Sequence, residues 1–148
     1  TERLITTLEL PVLMVPNKGR YPTIGQRVLV AWDRSPVALR AVNNARPVLR
    51  LAAEVKILSV NLESVYRGAA YGSGIVEHMA RHEIKAERLR VKSKNPRLSE
   101  VILETAVKEK CDLIVMGAYG NRGLRERLLG GVTSNVISDT TVPLLLTH

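Results

Sequence analysis

Residues 111–134 read CDLIVMGAYGNRGLRERLLGGVTS, in which a short apolar run leads into a segment rich in glycine. The run 113–116 is typical of a buried parallel strand, because all of its side chains are apolar. A strand that leads through a glycine-rich loop into a helix presents unblocked backbone NH groups and the positive end of a helix dipole. The stretch therefore predicts a ligand that bears phosphate. Tight turns explain an isolated G-x-x-G equally well, so that alternative stays open at this point.

Similar apolar runs recur along the chain, and stretches with helical spacing lie between them. This alternation is the βαβ pattern of a parallel sheet. The predicted strands are 28–32, 55–60, 89–91, 113–116 and 142–146. The predicted helices are 35–52, 75–86, 98–110 and 133–138, and 68–74 is predicted to be a loop. This order of elements predicts an α/β fold with an open parallel sheet.

Local signals place the start of the first helix and the position of a binding crevice. Ser35 is suited to cap the helix, and Pro36 to occupy its first turn, whereas Pro47 predicts a bend. In open α/β sheets, ligands bind beyond the carboxyl ends of the strands, where the strand order reverses. The loops after the first and fourth strands carry Asp33 and Gly117, and these two residues are predicted to flank that crevice.

The composition suits one globular domain, with 148 residues of which 45% are hydrophobic. No apolar run has the length of a membrane span or the layout of a signal peptide, so no membrane partner is expected. The single cysteine, Cys111, makes a reducing, cytoplasmic setting the default expectation and is interpreted as a buried structural thiol. The net charge of +8 makes nucleic acid a candidate partner. Because aromatic residues make up only 3%, a solvated basic surface is the preferred interpretation.

Three motifs in this order resemble those of a known family. They are VLVAWDRS at 28–35, DLIVMG at 112–117 and the pattern G-x2-G-x9-G formed by Gly117, Gly120 and Gly130. Together with the following helix and last apolar strand, they make residues 27–148 similar to a universal stress protein domain. The resemblance implies an open five-stranded parallel sheet of Rossmann-like type with helices on both faces. In the subgroup with this glycine motif it also implies ATP binding.

The resemblance also implies which residues contact the nucleotide. One group lies around the adenosine portion, a second approaches the ribose and phosphates, and a third wraps the phosphate tail at a helix start. The first group is Ala31, Asp33 and Val60, the second is Gly117 and Gly120, and the third is Gly130, Gly131, Val132 and Thr133.

One position departs from the family pattern. The family often has Ser or Thr after the third glycine, whereas this chain has Gly131 and so lacks a hydroxyl contact to phosphate. Backbone donors survive the change, so weaker binding is expected rather than none.

The first sixteen residues are similar to the last sixteen. Residues Thr1, Ile5, Pro11 and Leu13 coincide with Thr133, Ile137, Pro143 and Leu145 when the two segments are aligned. We interpret 1–16 as the end of a preceding copy of the domain, 17–26 as a linker and 27–148 as the domain itself. The alternative is a natural amino-terminal arm.

The apolar segment 12–15 needs an edge on which to pair. The last strand, 142–146, is the predicted edge, either within the chain or in a second copy. The resemblance implies pairing through this strand, so a homodimer or a tandem pseudo-dimer is expected.

The sequence gives little indication of a metal site or of catalytic residues. His78 and His82 have the i, i+4 spacing of half a metal site, but there is no HExxH motif, and they are interpreted as exposed surface histidines. The glycine loop lacks a Walker lysine, so no group for rapid phosphoryl transfer is identified. We predict neither catalytic residues nor protein ligands to a metal, and expect Mg²⁺ to be held by ATP phosphates.

The resulting hypothesis is an ATP-binding regulatory or sensory module of the stress response. The alternatives are a slow ATPase and a nucleotide-free dimerisation module.

Overall fold

The computed structural model describes residues 10–62, 70–119 and 131–148. These residues form one six-stranded sheet in the spatial order β1-β6-β5-β2-β3-β4. The strands are β1 (Val12–Met14), β2 (Arg27–Ala31), β3 (Glu54–Val60), β4 (Ala86–Val91), β5 (Leu113–Gly117) and β6 (Leu144–Thr147). The helices are α1 (Pro36–Leu51), α2 (Ala70–Arg81), α3 (Leu98–Lys108) and α4 (Val132–Asp139).

Strands β2 to β6 are parallel, as predicted, and β1 adds a sixth strand that the five-stranded expectation lacks. Strand β1 runs antiparallel to β6, with Val12 opposite Leu146 and Met14 opposite Leu144. The expectation that the amino-terminal apolar segment pairs with the last strand is therefore confirmed, and this pairing lies within the chain. The helix end predicted in 1–9 lies outside the described residues.

Helix α1 begins where the sequence predicts it. The Ser35 hydroxyl accepts a hydrogen bond from the Ala38 NH at 3.1 Å, and Pro36 occupies the first position. The helix continues through Pro47, whose ring nitrogen has no hydrogen to donate to the Asn43 carbonyl one turn earlier. Arg46 Nε donates to that carbonyl at 3.1 Å instead. A side-chain donor thus satisfies the carbonyl that proline would leave unpaired.

Several predicted boundaries are wrong. Helix α2 begins at Ala70, so residues 70–74 are not the predicted loop, and the helix ends at Arg81 rather than 86. Its end is a turn in which Glu83 adopts a positive φ of 62° and the Ile84 NH donates to the Met79 carbonyl. Strand β4 therefore begins earlier than predicted.

Two further boundaries shift by a few residues. Helix α3 ends before Lys110, whose φ of 54° is left-handed and stops the helix. Strand β6 begins after Val142, because the Thr140 side chain bonds both the NH and the carbonyl of Val142 and holds it in a turn.

The sheet is covered on both faces, as predicted. On one face, Val28, Val30 and Val115 pack with α1 and α2 in a first core cluster. On the other face, Leu29 and Ile114 pack with α3 and α4 in a second core cluster. Because side chains alternate along a strand, apolar residues at consecutive positions of β2 and β5 are buried on opposite faces.

Residues 17–26, predicted as a linker, are held against the start of β5. The Asp112 carboxylate accepts hydrogen bonds from the Thr23 hydroxyl and from the NH groups of Gly25, Gln26 and Arg27, at 2.8 to 3.1 Å. Burial opposes ionisation of Asp112, but these hydrogen bonds outweigh it and lower its pKa. The segment therefore enters β2 in a fixed position.

Candidate functional site

The strand order reverses between β2 and β5. From β2 the chain proceeds to β3 and β4 on one side, and then crosses to β5 and β6 on the other. The carboxyl ends of β2 and β5 thus diverge into loops on opposite sides of one crevice, which is where open α/β sheets bind ligands. Asp33 follows β2, and Gly117 ends β5. The structure therefore brings both sequence-predicted residues to the reversal point.

Asp33 is exposed at this crevice and fixed in orientation. Its Oδ1 accepts a hydrogen bond from the Ser35 NH at 2.9 Å, and Ser35 in turn caps α1. The carboxylate is consequently held at the mouth of the crevice beside the first turn of α1. Such a group can accept hydrogen bonds from hydroxyl or amino groups of a ligand.

Three predicted contacts of the nucleotide share one apolar environment. Ala31 at the end of β2, Val60 at the end of β3 and Val132 at the start of α4 are half-buried against the second core cluster. They come from distant parts of the chain. The fold therefore places them on the same side of the sheet, the side covered by α3 and α4.

Gly117 has a packing role that the sequence interpretation did not include. A Cβ at this position would lie 2.7 Å from Val37 Cγ1, 2.9 Å from the Val37 carbonyl carbon and 3.0 Å from the Ala38 nitrogen. Two of these atoms belong to the backbone of α1 and cannot rotate away. Glycine here lets the first turn of α1 approach the end of β5, and its contact with a nucleotide stays a prediction.

The chain leaves β5 through a sharp turn that is tied to α4. Tyr119 adopts a left-handed φ of 57°, and its NH donates to the Thr133 hydroxyl at 3.2 Å. The preceding residue, Ala118, is fully buried and donates its NH to the Thr147 carbonyl at 2.7 Å. Sequence reasoning identified Thr133 but missed Ala118 and Tyr119, because neither residue type is characteristic of such a turn.

Helix α4 begins at the crevice without a side-chain cap. Gly131 is its N-cap, with φ −57° and ψ 167°, and the first turn contains no acidic residue. Gly131 therefore contributes no side-chain acceptor at the positive end of the helix dipole, an arrangement that attracts anions. Gly120 and Gly130, the other glycines of the motif, lie outside the described residues.

The two histidines are half-buried between α1 and α2, so their interpretation as exposed is wrong. His78 Nε2 lies 3.0 Å from Asn43 Oδ1, and Arg46 Nη1 lies 3.3 Å from His82 Nδ1. Burial, followed by the positive fields of His82, Arg46 and Arg81, lowers the pKa of His78. Within the described ranges, no group of three or more His, Cys, Asp or Glu side chains could hold a metal ion.

Cys111 is half-buried beside the amino-terminal end of the sheet. Burial raises the pKa of its thiol to about 11, so it remains protonated near neutral pH. Cys111 is thus less buried than predicted, and its raised pKa fits a structural thiol better than a nucleophile.

The family model of the universal stress proteins matches residues 25–148. The chain belongs to the universal stress protein family. It is 31% identical to the universal stress protein YxiE of Bacillus subtilis, in an alignment covering 81% of this chain and 97% of YxiE. The match to the family extends across β2 to β6 and therefore includes the whole crevice.

Solved universal stress proteins have the same fold. One from Archaeoglobus fulgidus superposes with a TM-score of 0.73 at 25% identity, covering 94% of this chain and 50% of that chain. The present chain thus spans about half the length of that protein. Another, solved in complex with cAMP, gives a TM-score of 0.63 at 25% identity and covers 85% of this chain and 98% of that chain. In the part of this chain that the structure describes, no helix has the length and apolarity needed to cross a membrane.

Proposed function

We propose that this universal stress protein chain binds ATP in the crevice between β2 and β5 and acts as a regulatory or sensory module. The observation that carries the proposal is the convergence of three features at the strand-order reversal. These are the apolar side chains of Ala31 and Val60, the fixed carboxylate of Asp33 and the uncapped start of α4. A related protein that was solved with cAMP supports a nucleotide as the ligand.

Each feature suits a different part of the nucleotide. The half-buried Ala31 and Val60 offer apolar surface to the adenine, and Asp33 accepts hydrogen bonds from the adenosine portion. The phosphates lie at the start of α4, where backbone NH groups and the helix dipole stabilise negative charge. Mg²⁺ is held through the phosphates, as its preference for phosphate and water oxygens allows. Gly120 and Gly130 complete the phosphate loop in this proposal.

A binding module is favoured over an enzyme because the sequence supplies no Walker lysine for phosphoryl transfer. Slow hydrolysis of ATP and a nucleotide-free interaction module are the competing functions. Both are distinguished from the proposal by the same titration with two readouts, binding and turnover.

Calorimetric titration of the chain with Mg-ATP tests the proposal, after mass spectrometry has excluded nucleotide carried through purification. We expect micromolar binding that Asp33→Asn weakens about ten-fold, since it removes a charged acceptor. The matched control is Asp139→Asn at the far end of α4, which should leave the affinity unchanged. Absence of binding in the wild-type chain would support the nucleotide-free module. Turnover that tracks the protein and is lost in Gly130→Val would support the slow ATPase.

We further propose that β1 belongs to a preceding copy of the domain, which makes the chain half of a tandem pseudo-dimer. Strand β1 already occupies the edge of β6, so the last strand has no free edge for a homodimer in the described sheet. Leu13 in β1 and Val15 just after it remain 51% and 45% exposed, and in the proposed tandem protein the preceding copy of the domain covers them. Sedimentation equilibrium should find this chain monomeric. A dimer that persists after Leu13→Arg, or one built through β6, would contradict the proposal.

A further inference from the structure

Strand β4 forms the edge of the described sheet opposite β1, because it pairs with β3 alone. Arg88 and Arg90 lie two positions apart on this strand, so their side chains leave the same face. Leu89 and Val91 leave the other face, where they are half-buried against the second core cluster. The edge thus alternates between basic and apolar side chains along four consecutive residues.

A third guanidinium lies close to the two on β4. Arg34, which follows β2 with a left-handed φ of 67°, donates from Nη2 to the Leu62 carbonyl at 3.3 Å. Leu62 comes just after β3, the strand that pairs with β4. The loop after β2 is therefore held toward the β4 side of the sheet.

These three positive charges have little compensation. Burial, together with the fields of Arg90 and Arg34, lowers the pKa of Arg88, and Glu77 on α2 is the acidic group that opposes this effect. None of the ion pairs within 4.0 Å in the described part of the chain includes any of the three arginines. A concentration of unpaired positive charge at a sheet edge attracts a negatively charged partner.

We propose that β4 is a docking edge for an acidic segment of a partner protein, which adds to the sheet as a further strand. Strand addition supplies main-chain hydrogen bonds, and alternate side chains supply specificity. Residues directly opposite one another in an antiparallel pair share a face. Carboxylates of the partner then face Arg88 and Arg90, and apolar side chains face Leu89 and Val91. The partner segment therefore alternates acidic and apolar residues over about four positions.

The same features disfavour other occupants. A second copy pairing antiparallel through β4 would place arginines near arginines, and like charges across strands are destabilising. Positive charges at an edge also block indiscriminate strand pairing. A small anion would use the guanidinium groups but neither the backbone edge nor Leu89 and Val91. An acidic, amphipathic strand is the occupant that uses every feature of this edge.

Fluorescence anisotropy with two peptides tests the proposal on the full chain. One labelled peptide alternates Glu and Val, and the other is identical except that Lys replaces Glu. We expect the wild-type chain to bind the Glu peptide about ten-fold more tightly than the Lys peptide. The double variant Arg88→Glu/Arg90→Glu should invert this preference. The control Arg40→Glu/Arg81→Glu makes the same charge change at exposed helix positions and should keep the wild-type preference.

Each further arm of the experiment either supports the proposal or overturns it. Arg88→Gln/Arg90→Gln, which guards against misfolding of the charge reversal, should abolish the preference without inverting it. Hydrogen exchange should show new protection of β4 amides with the Glu peptide. An equal effect of the control variant would reveal general electrostatic attraction and overturn the proposal. Displacement of the peptide by ATP, or by pyrophosphate at constant ionic strength, would overturn it in favour of the crevice or of a small-anion site.

Discussion

The two ends of the sheet differ in how some of their charged groups are partnered. At the amino-terminal end, Asp112 accepts four hydrogen bonds, and Lys56 is paired with both Glu54 and Glu109. At the carboxyl end, Gly131 gives α4 no side-chain cap, and Arg34 and Arg90 have no ion pair among the described residues. Saturated polar groups stabilise a fold, whereas charged groups without an ion-pair partner are available to ligands. The amino-terminal end thus contains the saturated hydrogen bonds that stabilise the fold, and the carboxyl end contains the crevice proposed to bind nucleotide.

The paired end includes a further arginine. Arg27 Nη1 lies 2.6 Å from Glu54 Oε2, so the start of β2 is joined to the start of β3. Hydrogen bonds to Glu109 and Glu54 raise the pKa of Lys56, and the bond to Lys56 lowers the pKa of Glu109. Both pKa shifts favour the charged form of the group, so Lys56 and Glu109 are both charged near neutral pH. Since these groups are partly solvated, we attribute most of the stabilisation at this end to Asp112.

The largest effect is expected from removing the acceptor at the paired end. Asp112→Ala leaves three backbone NH groups and the Thr23 hydroxyl without their acceptor, which should lower the free energy of unfolding by about 3 kcal/mol. Urea denaturation measures this change. Asp139→Ala is the control, and its effect should be within about 0.5 kcal/mol of zero.

The Asp112 variant also tests the division between the two ends. If stability and binding are separate, the folded fraction of Asp112→Ala should bind Mg-ATP with wild-type affinity. A loss of affinity in molecules that calorimetry shows to be folded would contradict the division. A loss of stability equal to that of the control would show that the hydrogen bonds at Asp112 contribute little.

Gly117 lies at the end of the sheet that is proposed to bind nucleotide, but it has a packing role. Gly117→Ala brings a methyl group within 3.0 Å of the α1 backbone, which should lower the free energy of unfolding by about 1–3 kcal/mol. The matched control is Gly74→Ala on α2, where an added Cβ meets no atom within 4 Å. That change should stabilise the chain by about 0.5–1 kcal/mol, because alanine is the better helix former. Thermal and urea denaturation of both variants measure the contrast, and equal effects would contradict the packing argument.

These two glycines show what the sequence could predict and what it could not. Gly117 was identified from a motif, but its contact with Val37 joins residues eighty positions apart and depends on how α1 lies across β5. Similarly, the pattern of apolar runs predicted five strands because strand burial leaves a local signal. The predicted end of α2 was wrong because the helix ends at a turn in which Glu83 is left-handed. Glutamate does not favour this conformation, so the sequence gives no signal for the turn.

The candidate site likewise contains features that the sequence could predict and contacts that it could not. The position after the first strand predicted Asp33 at the crevice, and the resemblance to the family implied Ala31, Val60 and Thr133 as further contacts. It could not predict the hydrogen bond between the Tyr119 NH and the Thr133 hydroxyl, which requires the chain to turn back after β5. The pairing of His78 with Asn43 was also missed, because helical spacing gives the face of one helix but not its neighbour.

Replacing Gly131 with serine restores the hydroxyl that the family often has after the third glycine. Gly131→Ser places a hydroxyl at the N-cap of α4, where a φ of −57° accepts any side chain without strain. Serine caps a helix only a few tenths of a kcal/mol better than glycine, so the change in stability should be small. If phosphate lies at this helix start, the added donor should raise Mg-ATP affinity by about three- to ten-fold.

Titration calorimetry of Gly131→Ser measures the gain, and Gly131→Ala is the control because it adds a side chain without a donor. Higher affinity for ATP with unchanged affinity for adenosine would place the phosphates at α4. An equal gain for adenosine, or none in either titration, would contradict phosphate binding at this position.

The smallest effect is expected from His78, which lies between α1 and α2. His78 has a pKa lowered in the folded state, so the folded chain favours the neutral ring, and its contribution to stability is full above the unfolded value near 6.5. As the pH falls below that value, the unfolded chain binds the proton more readily, and stability should decrease. His78→Gln retains an amide donor toward Asn43 but does not titrate, so its stability should be flatter between pH 7 and 5. Urea denaturation across this range tests the difference, and parallel pH profiles of the two proteins would show that another group is responsible.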